Sequence, residues 1–61
     1  MLTLAQYKQI KEVKDKSPFT SDLSIVEYIN NVRFRLSQWY GIEEEKISDE
    51  YVYNFLTLHI S

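Results

Sequence analysis

Ile25, Ile29, Val32, Leu36 and Trp39 stand four, three, four and three residues apart. That alternation is the seam of a helix packed against another helix. It predicts a helix over about 25–40, with Trp39 at the end of its core stripe. Leu4, Tyr7, Ile10 and Val13 recur every three residues and predict a first helix over about 4–16, with lysines on its other side. Tyr51, Val52, Phe55, Leu56 and Leu58 supply a broad apolar face for a third helix over about 49–59. Tyr51 to Tyr53 and Leu58 to Ile60 are also strand-forming types, and Thr57 to Ser61 alternates. Helix is the better reading of this segment, because a lone strand would have no partner elsewhere in the chain.

Each helix opens on a repeated local signature. Leu2-Thr3-Leu4-Ala5-Gln6-Tyr7 and Leu23-Ser24-Ile25-Val26-Glu27-Tyr28 share one order of types, and Ile47-Ser48-Asp49-Glu50-Tyr51-Val52 keeps its beginning. Thr3 and Ser24 are placed to accept from the backbone N–H three residues on. Gln6 and Glu27 are placed to reach back to the cap's own N–H. Leu2 with Tyr7, Leu23 with Tyr28 and Ile47 with Val52 take the two positions of a hydrophobic staple. Asp49 and Glu50 complement the dipole of the third helix.

The stops are equally local. Pro18 pushes Ser17 out of the α region and ends the first helix. Phe19, in the loop that follows, is expected to pack back onto the core. Gly41 stands where a helix ends on a left-handed residue, with Ile42 next to touch Leu36. Ile42 to Ile47 form the second connection, with one helical turn through the glutamates. The fold class is therefore all-α, a small three-helix domain spanning residues 1–61.

Length, composition and charge narrow the function classes. A chain of 61 residues buries only about 60% of the surface its unfolded state exposes. Disulfides, metal or oligomerisation commonly supplement such domains, and the absence of cysteine leaves oligomerisation or a partner. No stretch reaches the roughly 20 apolar residues of a membrane span. Met1 to Ile10 lacks the charged and apolar regions of a signal peptide. A cytoplasmic setting without membrane contact is expected. The net charge is −2, but its distribution is uneven. Lys8, Lys11, Lys14 and Lys16 lie early in the chain, whereas Glu43, Glu44, Glu45, Asp49 and Glu50 follow Gly41.

Little in the chain suggests catalysis. There is no cysteine, and His59 is the single histidine. Nothing beside it forms a nucleophile–base pair. Glu43 to Glu45 are consecutive and cannot all face one cleft. The spacing matches neither structural zinc nor a calcium loop, and Gly41 alone makes no phosphate loop. No enzyme activity, cofactor, metal or small-molecule substrate is expected.

The surplus apolar side chains point to a partner. On a helix of about 100° per residue, Phe34 falls opposite the core stripe, between Arg33 and Arg35. Phe, Tyr, Trp and Arg are the types that dominate interface energetics. Tyr53 and Ile60 extend the third helix's apolar surface almost all round, and two short helices cannot surround a third. Phe34, Arg33, Arg35, Tyr53 and Ile60 are therefore the expected contacts with another protein or a second copy. The expectation is an assembly, adaptor or inhibitor protein of phage or bacterial type. A nucleic-acid-binding regulator using Lys8, Lys11, Lys14, Arg33 and Arg35 is the alternative. It is disfavoured because the third helix, where recognition would sit, has no Lys or Arg at all while its approach carries five acids. A subunit ordered only within a larger particle is the third reading.

Overall fold

The local start signals form as their sequences require. In the computed structural model, which describes residues 1–58, α1 runs Leu4–Asp15, α2 Ile25–Tyr40 and α3 Asp49–Leu58. A single 3₁₀ turn, Glu44–Lys46, sits in the second connection. No strand occurs among the described residues. Thr3 Oγ1 accepts from Gln6 N at 3.2 Å, and Thr3 N donates to Gln6 Oε1 at 2.8 Å. Ser24 Oγ accepts from Glu27 N at 3.1 Å, and Ser24 N donates to Glu27 Oε1 at 3.2 Å. Both are complete capping boxes, each satisfying donors a helix start otherwise leaves unpaired. Ser48 Oγ accepts from Tyr51 N at 3.1 Å and opens α3. Gly41 closes α2 at φ 65°, ψ 30°, with its N–H bonded to Ser37 O.

The three helices meet around Ile10, Ile29, Val32, Leu36, Val52 and Leu56, with Leu2 and Ile47 completing the buried cluster. Leu2 and Ile47 each precede a cap residue, so the staple positions ahead of α1 and α3 also serve as core. Ile42, one residue past the helix stop, packs against this cluster.

Three expectations about burial are corrected. On α1 the apolar face is rotated. At about 100° per residue, Leu4 lies some 120° around the helix from Ile10 whereas Lys14 lies only about 40° away. Leu4 is accordingly 75% exposed and Lys14 4%. Phe19 does not fold back onto the core. Thr20 N and Ser21 N both donate to Ser17 O, and the Thr20 hydroxyl donates to Lys14 O at 2.7 Å. The loop closes on itself and leaves Phe19 at its tip, 91% exposed.

Trp39 is the third correction. Burial along α2 ends at Leu36, and Trp39 is 63% exposed. Its position is about 60° around α2 from Leu36, at the margin of the stripe, and its ring lies against the half-buried Phe55 of α3, outside the core cluster.

Candidate interaction surface

Among the described residues, those expected at an interface do not share one face. Phe34 lies about 160° around α2 from Leu36 and is 52% exposed, while Arg35 is exposed on another side. Arg33 is half-buried and turned inward. Its Nε donates to Ile47 O at 3.0 Å, one Nη donates to Asn30 Oδ1 at 2.7 Å, and the other pairs with Asp49. It ties α2 to the start of α3. Tyr53 is half-buried against the core, and its hydroxyl donates to Gln9 Oε1 on α1. Ile60 and His59 lie outside the described residues.

The lysines divide as well. Lys8 and Lys11 are exposed, and Lys11 pairs with Asp15 at 3.5 Å. Lys14 is buried and bonded within the fold. Its Nζ donates to Ser21 O and to Asp15 Oδ1, both at 2.8 Å. The hydrogen bond from Lys14 holds the Asp15 carboxyl below its ordinary range. Burial pushes the Tyr28 phenol up against a smaller opposing effect of Arg35.

The outward side of α3 is not the side carrying Tyr53. Val52 and Leu56 face inward, whereas Tyr51, Asn54 and Leu58 form the exposed stripe at three- and four-residue spacing. With Tyr40 and Phe55 they line a groove of about 390 Å³. Trp39 stands at its edge, its ring centroid 6.3 Å from that of Phe55 with the planes tilted 53°. The end of α2 and the outer side of α3 thus combine into one aromatic surface. None of its side chains is charged.

Two sequence signals could have located this surface. Gly41 ends α2 directly after Trp39 and Tyr40, so no further turn is available to shield them. Asp49, Glu50, Asn54 and Thr57 are the polar positions of α3, and Leu58, about 40° around the helix from Asn54, borders them.

A second depression, of about 430 Å³, is lined by Asn30, Arg33, Glu44, Glu45, Ile47, Ser48 and Asp49. Its cation is already bonded to Asn30, Ile47 and Asp49. Among the described residues there is no group of three or more His, Cys, Asp or Glu positioned to hold a metal ion. No helix among them is long and apolar enough to cross a membrane. No family model, no curated protein and no solved structure matches this chain.

Proposed function

We propose that this chain is a non-enzymatic protein–protein interaction module, a small cytoplasmic assembly, adaptor or inhibitor protein. The carrying observation is the gathering of Trp39, Tyr40 and Tyr51 at one end of the domain, each well exposed, around an uncharged groove. Large aromatic side chains grouped on a small surface mark an interaction site more often than a solvated face does. Phe34, on the opposite side of α2, offers a separate contact.

The chemistry of the lysines and arginines argues against the nucleic-acid alternative. A phosphate-binding face needs free cations on one side. Lys14 and Arg33 are bonded within the fold, and the second connection is acidic.

Site-specific photo-crosslinking in the native cell tests the reading. A photoreactive residue replacing Trp39, Tyr51 or Phe34 should form discrete adducts with protein. The same residue replacing Lys8 should not. Adducts absent from all three aromatic positions, or equally strong at Lys8, would refute it. Retention on heparin with a steep loss in salt would favour nucleic acid instead.

A further inference from the structure

We propose that the Trp39 face binds a second copy of this chain, each Trp39 seating in the groove between Tyr40 and Tyr51 of the other. The inference rests on reading this surface as protein-binding, and it commits that surface to one occupant.

Shape supports a self-pairing. A two-fold contact needs a projection and a matching recess on the same patch, because both partners present the same surface. Trp39 projects beside the groove of about 390 Å³ and does not fill it. Such a volume lies near the lower end of the roughly 300–1,000 Å³ typical of ligand pockets, suited to one aromatic side chain.

Charge supports it too. A two-fold axis brings like residues near one another. Trp39, Tyr40, Tyr51, Asn54, Phe55 and Leu58 carry no charge, so nothing in the patch is repelled by its own copy. The lysine side of α1 or the run Glu43 to Glu45 would set like charges face to face.

Area sets the strength. At about 200 Å² per aromatic side chain, exposures of 63% for Trp39, 56% for Tyr40 and 44% for Tyr51 leave about 330 Å². Leu58 raises this to roughly 450 Å², near a tenth of the domain's 4531 Å². Two copies would bury at most about 900 Å² in total, below the roughly 1,200 Å² at which specific stable interfaces begin and in the range of weak, transient ones. The dimer is therefore weak and concentration-dependent, and well matched to a domain too small to cover its own aromatic end.

The test is sedimentation equilibrium of the pure protein from about 10 μM to about 1 mM, the range a weak interface of this size occupies. It is joined to fluorescence, because Trp39 is the single tryptophan. The mass should rise from monomer to dimer. Over the same range Trp39 emission should shift to the blue and lose access to iodide. Tyr40→Glu and Trp39→Ala should each weaken pairing about thirty-fold or more, leaving monomer throughout with helical circular dichroism intact. Phe34→Ala, on the other side of α2, should dimerise normally. A monomer at 1 mM overturns the proposal. So does a dimer in which Trp39 stays fully quenchable, or one that Tyr40→Glu leaves unchanged. In either case crosslinking at Trp39 still decides separately whether another protein uses the surface.

Discussion

Lys14→Met separates a structural lysine from a phosphate-binding one. Lys14 is buried within α1, yet both of its polar contacts lie at the edge of the fold. Its Nζ holds the Ser21 carbonyl and the Asp15 carboxylate, each at 2.8 Å. Methionine keeps most of the apolar stem and removes the ammonium. Asp15 is exposed, so losing that pair costs little. Ser21 O is the larger loss, because a hydrogen bond from a charged donor is worth about 1.5–3 kcal/mol. Relief from dehydrating the ammonium offsets part of it. A net destabilisation of about 2 kcal/mol is expected, equivalent to roughly 10–15 °C in melting temperature for a domain of this size. Urea titration followed by circular dichroism measures it directly. Lys8→Met and Lys11→Met, on exposed positions, should stay within about 0.5 kcal/mol. A Lys14→Met midpoint equal to theirs, or higher, would refute the account of Lys14 as a loop anchor. Weakened DNA retention with unchanged stability would restore Lys14 as a phosphate contact.

Four further outcomes are expected. Trp39→Ala should cost about 1–2 kcal/mol in denaturant titration of the monomer, below the 3–5 kcal/mol of a truncated core aromatic; unfolding would show the ring is core. Ser24→Ala should cost about 1 kcal/mol through loss of the α2 cap, seen as a lower urea midpoint. Gly41→Ala should cost about 1 kcal/mol in the same titration. A Cβ there meets no atom within 4 Å, so the cost is conformational, from φ +65° alone. Acid should destabilise the fold through Glu50 and Asp15. The Met1 amino group's hydrogen bond holds Glu50 below its ordinary 4.5, and Lys14 holds Asp15 below 3.8. A carboxyl lowered on folding stabilises above its unfolded value and loses that contribution as pH falls through the folded one. Glu50→Gln should accordingly flatten the fall of melting temperature below about pH 4.5.

The helix boundaries were legible because what makes them is local. A capping box closes between residues three apart, as Thr3 with Gln6 and Ser24 with Glu27 show. Gly41 acts through its own φ. These interactions exist whatever the rest of the chain does, so residue order alone is enough to place them. The helical state of residues 49–58, against their strand-forming types, follows from the same cause, with the Ser48 cap and the lack of a partner strand.

Which face each helix buries was decided only in three dimensions. A helix carries several overlapping apolar stripes, and the neighbours choose among them. The three-residue spacing that begins at Leu4 drifts by about 60° each step, so its first member ends in solvent while Lys14 goes inside. Lys14 could be buried because Ser21 O, on a loop folded over the end of α1, accepts its charge. Arg33 left the surface because Ile47 and Asp49, on the far side of the second connection, came within reach of it. Tyr53 turned inward to Gln9, and Tyr51 turned out. Trp39 kept nearly the phase of a core residue but lies at the margin of the buried stripe, against Phe55 and outside the core cluster. The candidate surface is built from those same choices. Its parts come from two helices, and residue order within either helix does not record which residues of the other it lies against.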